Sequence, residues 1–265
     1  MKSLAILFGQ VLAIALSLGL GLFCIQSIAP STWRFSLPWE TLYVVLLYLS
    51  LFLLIKSYSK SYAFPMRPGP MGSIGFGFLA STLILSCCWG IGVLSLALVW
   101  EYKSLPLLQL VHILGLAFAI AWFEEALFRG LIFQLLYRAQ KSTLRAILLQ
   151  SVIFAGLHQL NSQWDFAMRI GSGIGLFLCA FILTQARVRS GHLGWSIGLH
   201  GGWIFLCQWA AYSGALTPQT GGEYWQKLSF QEVNPVSGIV GILLLTGVSY
   251  VIMRANRTQE IMVYK

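Results

Sequence analysis

Between Leu105 and Tyr137 the chain runs through 33 residues with only three charged side chains, Glu124, Glu125 and Arg129. A helix of that length crosses the ~30 Å hydrocarbon core of a bilayer. A charge at the centre of such a helix costs about 2.5–3.5 kcal/mol on insertion scales. Three charges within six positions therefore face a bundle interior rather than lipid, and they mark the place to look for function.

The rest of the chain fits the same setting. Of 265 residues, 57% are hydrophobic and 9% charged, against roughly a quarter charged in soluble domains. Mean hydropathy is +0.76. This composition cannot cover a water-facing surface and places the chain in the lipid bilayer. The net charge of +9 does not describe a nucleic-acid binder, because the basic residues are dispersed rather than gathered on one segment. The five cysteines, Cys24, Cys87, Cys88, Cys179 and Cys207, lie in apolar runs without a CxxC pair and read as buried small hydrophobes.

Hydropathy predicts an all-α polytopic membrane protein of about eight spans, near 4–25, 39–56, 72–99, 106–137, 143–160, 168–186, 192–212 and 236–253. The first is too long for an ordinary signal-peptide core and is read as a retained helix. With eight spans, one set of loops and both termini carry Lys2, Lys56, Lys60, Arg67, Arg138, Lys141, Arg145, Arg187, Arg189, Arg254, Arg257 and Lys265. The opposite set carries Arg34, Lys103, Arg169 and Lys227. Twelve against four puts both termini in the cytoplasm by the positive-inside rule, and the expected location is the cell membrane. Organisation follows the spans. Residues 1–105 form three N-terminal helices, 106–212 a four-span core, and 213–265 a last helix with a basic tail, all in one integrated membrane domain.

Helical rise gives depth. Glu124 lies about 21 Å from the cytoplasmic end of its span, His158 about 22 Å up the next, and His200 about 14 Å up the seventh. Three ionisable residues on three helices thus share a layer of the membrane. Adjacent residues on a helix point about 100° apart, so Glu124 and Glu125 are expected to serve different partners. Glu125 and Arg129, at i and i+4, have the spacing of an ion pair. Glu124 has no local cation and must look to His158 and His200 on other helices.

Two chemistries suit that set. A glutamate beside a histidine activates water as a general base and returns the proton to the leaving group, while a second histidine stabilises the oxyanion. Alternatively Glu124, His158 and His200 form a His₂Glu site for a divalent metal such as zinc, with one open position. The HExxH and GxSxG signatures are absent.

Three motifs carry a resemblance. Glu124-Glu125-Ala-Leu-Phe-Arg129 resembles the EExxxR motif of the CPBP family of intramembrane endopeptidases, the CAAX protease and bacteriocin-processing or abortive-infection family. Phe154-Ala-Gly-Leu-His158 is similar to its FxxxH motif, and His200 in Gly198-Leu-His200-Gly-Gly-Trp203 to the histidine of its HxxxN motif. The resemblance covers residues 106–212. It implies that Glu124 and His158 activate water, that Glu125 and Arg129 hold the first motif in shape, and that His200 helps stabilise the oxyanion. The implied partner is a peptide or protein substrate at the membrane. One departure stands out: the family's Asn or Asp four residues after the third-motif histidine is Ile204 here. Asn161 and Ser196, each one turn from a motif histidine, are the candidate replacements, and Gln208 is too distant. Two rival functions follow. Ile204 favours a catalytically impaired relative acting as a membrane scaffold or immunity protein. Mid-membrane ionisable residues also occur in proton-coupled transporters, although no paired halves are visible.

Overall fold

The structure, a computed structural model, describes residues 69–101, 103–159, 166–219 and 234–256, and positions 46, 48 and 49. The predicted span 4–25 lies outside the described residues. The span 39–56 is described only at the helical Leu46, Tyr48 and Leu49.

Among the residues described from 69 onward, seven α-helices follow in chain order: α1 (Met71–Leu94), α2 (Leu107–Glu125), α3 (Phe133–Gln140), α4 (Thr143–His158), α5 (Phe166–Ser190), α6 (Gly194–Ser213) and α7 (Ile239–Asn256). A π-helical segment, Ala126–Ile132, joins α2 to α3, and the three make one 34-residue apolar helix, Leu107–Gln140. Each of the remaining six predicted spans overlaps one of these helices. Among the described residues three helices are long and apolar enough to cross a membrane: Met71–Leu94, Leu107–Gln140 and Met168–Ser190. Helix α4, at 16 residues, rises only about 24 Å.

The fold is not purely helical, as the sequence suggested. The span expected over 72–99 stops at Leu94. Ala97 N–H bonds to Gly92 O at 2.9 Å and Leu96 N–H to Val93 O at 3.0 Å, the Schellman arrangement that closes a helix. It needs a left-handed residue, and Leu96 takes that role at φ 58°. Glycine normally signals such a stop, and leucine conceals it. Released from the helix, Leu98–Trp100 forms β1, which pairs antiparallel with β2 (Leu216–Pro218). Leu98 and Leu216 are buried, and Trp100 and Trp89 both pack against Trp209. The ribbon thereby ties the ends of α1 and α6 together.

Helices α1 and α6 approach backbone to backbone. A Cβ placed on Gly77 would strike Trp195 O and Leu199 N. One on Gly198 would strike Ile74 O, and one on Gly202 would strike Ser81 Oγ. Small residues at such crossings are the usual basis of close helix packing in membranes. Gly198→Leu is expected to force the helices apart, with a loss at or above the usual overpacking range of about 1–3 kcal/mol. A lowered thermal midpoint in detergent is the check, and an unchanged midpoint would contradict the close crossing.

The turn into α4 is local chemistry. Lys141 adopts φ 49° and ends α3. Ser142 caps α4 by accepting from Arg145 N–H, which reverses the chain within two residues. Across α4 and α5, the buried Gln150 and Thr184 hydrogen-bond to each other. These contacts set α4 beside α5 and bring His158 level with the π segment.

Candidate active site

Glu125 and Arg129 are fully buried. Arg129 Nη1 lies 2.9 Å from Glu125 Oε1, the ion pair expected from their spacing. Arg129 reaches two further helices. Its Nη2 is 3.5 Å from Ala180 O on α5, and its guanidinium sits 4.6 Å from the centre of the Phe154 ring on α4. Such a cation–π contact is worth about 2 kcal/mol when desolvated. The charge pair therefore pins α2, the π segment, α4 and α5 at one point.

Phe154 is the hinge of the site. Besides Arg129, its ring stacks at 4.3 Å on His158 and meets His200 edge-on at 6.2 Å. The sequence offered it only as a motif letter.

The structure brings Glu124, His158 and His200 together. Glu124 Oε2 stands 3.9 Å from His158 Nε2 and 3.7 Å from His200 Nε2. That oxygen is buried and makes no hydrogen bond to a described residue. His158 Nδ1 is 2.8 Å from Phe154 O. A carbonyl only accepts, so Nδ1 carries a hydrogen, and Nε2 is the ring atom turned towards Glu124. The gaps to Glu124 are too long for direct hydrogen bonds and admit a water touching both groups. Side-chain exposure is 34% at His158, 19% at Glu124 and 12% at His200, so the site opens on the His158 side.

One expectation fails. The two glutamates do share a partner: His200 Nδ1 lies 2.8 Å from Glu125 Oε1 while its Nε2 faces Glu124. The 100° argument considered side-chain directions and not the breadth of an imidazole, whose two nitrogens reach both carboxylates from one side. Glu125 Oε1 thus sits between Arg129 and His200 and holds the histidine's orientation.

The three residues line a cavity of about 290 Å³. Its other walls are mainly apolar and include Ser81, Phe154, Cys179, Leu199, Trp203, Ile204 and Asn234. Ile204 thus stands beside His200 where the family pattern has a polar residue. Of the predicted replacements, Asn161 lies outside the described residues. Ser196 is fully buried, is absent from the cavity wall and donates to Leu193 O at 2.9 Å. Trp203 reaches the cavity, whereas Trp89 and Trp209 pack with the ribbon. Asn234, which the sequence reading overlooked, enters from the turn before α7. Its signal was present: Asn-Pro, a turn-initiating pair, at the start of the last span. A second cavity of about 410 Å³ shares Ile84, Ile182 and Leu199 with the first and extends to Arg189 and Ser190.

The same donor set bears on a metal site. Glu124, His158 and His200 present one oxygen and two ring nitrogens, with the histidine Nδ1 atoms oriented by a carbonyl and a carboxylate. Among the described residues, however, no three His, Cys, Asp or Glu side chains are placed to hold one ion.

Residues 106–206 match the model of the family described as type II CAAX prenyl endopeptidase Rce1-like. Over this stretch the chain is similar to that endopeptidase family, which agrees with the resemblance carried by the three motifs. No curated protein matches the chain.

Proposed function

We propose that this protein is an intramembrane endopeptidase in which Glu124 and His158 activate water against a peptide bond of a membrane-associated peptide or protein. The observation that carries the reading is Glu124 Oε2: buried, without a hydrogen-bond partner among the described residues, and facing two histidine Nε2 atoms at the wall of a cavity. A buried oxygen without a partner costs about 1–3 kcal/mol unless water or substrate fills the place.

In the proposed reaction, Glu124 takes a proton from a water held between it and His158. The water oxygen bonds to the scissile carbonyl carbon, and the carbonyl oxygen becomes an oxyanion. Collapse of the tetrahedral species breaks the C–N bond, and Glu124 returns the proton to the departing amine. His200, its Nδ1–H engaged by Glu125, stabilises the oxyanion when its ring is doubly protonated. Glu125 and Arg129 hold the frame. The distribution of basic residues between alternate loops supports a reading with both termini in the cytoplasm and the protein in the cell membrane.

The test uses purified protein in nanodiscs with farnesylated and unprenylated peptides of matched sequence, and mass spectrometry of the products. Internal cleavage of either peptide by the wild type, lost in Glu124→Gln, supports the reading. No cleavage by the wild type across both peptide sets sinks it. Activity that survives exhaustive chelation is the expected companion result, and its loss, restored by added zinc, would replace water activation by these side chains alone with metal chemistry.

A second reading rests on Ile204 in the cavity wall: a catalytically impaired relative that holds a membrane peptide without cutting it. Retention of the intact peptide by both wild type and Glu124→Gln would select that alternative.

A further inference from the structure

Hydrolysis through a tetrahedral species calls for hydrogen-bond donors aimed at the oxyanion, and losing one typically lowers the rate about 10²–10³-fold. Ile204 brings none. His200 gives Nδ1–H to Glu125 and donates from Nε2 only when doubly protonated.

We propose that Asn234 supplies the missing oxyanion donor through its side-chain amide nitrogen. The inference rests on the hydrolytic reading above and adds a residue to it.

Three observations carry it. First, Asn234 lines the same cavity as Glu124, His158, His200 and Ile204, although it lies 30 residues beyond Ile204 in the chain. Second, the orientation of its amide is fixed. Oδ1 accepts from Trp203 Nε1–H at 3.1 Å and from Val236 N–H at 3.3 Å. Both partners are donors only, so the oxygen must face them. The NH₂ group is left over, and no hydrogen bond to a described residue engages it. Trp203 follows His200 by three residues on α6, so its indole links Asn234 to the helix turn on which the usual donor would sit.

Third, the backbone behind Asn234 is held on two sides. A Cβ on Gly171 would strike Ser237 O, one on Gly175 would strike Val236 O, and one on Gly241 would strike Pro235 O. Glycines of α5 and α7 thus leave room for the short 3₁₀ turn Pro235–Ser237, and the turn presents Asn234 to the cavity. A donor fixed this way meets the requirement of preorganisation.

The experiment measures kcat and KM separately, on a substrate that the wild type cleaves and Glu124→Gln does not. Asn234→Asp keeps the acceptor for Trp203 and Val236 and removes the donor. Asn234→Ala removes both. Each is expected to lower kcat about 10²-fold or more, with KM within threefold. Ile204→Asn, placed in the Asn234→Ala background, restores the usual donor position and is expected to recover at least tenfold in kcat. Thermal midpoints in detergent accompany each variant.

Activity within threefold of wild type in Asn234→Asp would overturn the proposal and leave the hydrolytic reading standing. So would a loss in Asn234→Ala that Ile204→Asn fails to rescue, because a purely structural role predicts that result. Absence of any wild-type cleavage would remove the hydrolytic reading and this inference with it.

Discussion

Glu124→Gln is expected to abolish peptide hydrolysis and leave the protein folded. Glutamine keeps the size and polarity of the side chain and loses the lone-pair base that receives the proton of water. General base catalysis is worth about 10²–10⁴-fold, and here the same carboxyl returns the proton, so the lower bound on the loss is at the upper part of that range. Among the described residues, the cationic or titratable nitrogens within 4 Å of the Glu124 carboxylate are those of the two histidines, at 3.7 and 3.9 Å. Its neutralisation therefore leaves no buried cation stranded. His158→Ala is expected to fall with it, having removed the second contact of the water. Cleavage assays paired with thermal unfolding in detergent check both. A Glu124→Gln protein that cuts at one tenth of the wild-type rate or faster would remove Glu124 as the base.

The adjacent glutamate should behave in the opposite way. Arg129→Ala leaves Glu125 charged at 0% exposure, and breaking a buried pair by removing one partner typically costs about 3–5 kcal/mol. Arg129→Lys is not conservative: an ammonium cannot pair with Glu125, reach Ala180 O and cover the Phe154 ring together. Removing both charges, Glu125→Gln with Arg129→Met, is expected to recover much of the stability lost by Arg129→Ala, because well-packed replacements of buried pairs are often near neutral. Activity should not return with it, since glutamine holds the His200 ring less firmly. Denaturation of the single and double variants in SDS forms a double-mutant cycle. A coupling near zero would mean that the pair braces nothing.

Much of this arrangement was legible in the sequence, because lipid makes charge placement nearly unambiguous. Glu124, Glu125, Arg129, His158 and His200 were found from apolar runs, helical spacing and motif order. What escaped has physical causes. The end of α1 was hidden because leucine occupies the left-handed position that glycine usually announces. The ribbon was hidden because Leu-Val-Trp reads equally as helix in an apolar run. The bridging of both glutamates by one imidazole was missed because residue directions say little about side-chain width. Asn234 was missed because a donor far along the chain has no fixed spacing from the motifs; only the glycine-cradled turn brings it to the cavity.

The π segment sets a length requirement that composition does not reveal. A stretch bonded i→i+5 accommodates a surplus residue relative to α geometry. Deleting one of Ala126–Ile132, Gly130 for instance, leaves hydropathy almost unchanged and lets the stretch rewind as α-helix. In a stretch that is already α-helical, one deletion turns everything beyond it by about 100° and slides it by about 1.5 Å; here the wide turn has already absorbed the extra position, so the flanking helices would keep nearly their facing. Such a chain should still be threaded into the bilayer, and the disturbance would fall on the segment's own side chains, Arg129 and its contacts to Ala180 O and the Phe154 ring among them. Insertion and chemistry are written into the same 34 residues in different codes: the first counts apolar side chains, and the second depends on where the surplus position is absorbed.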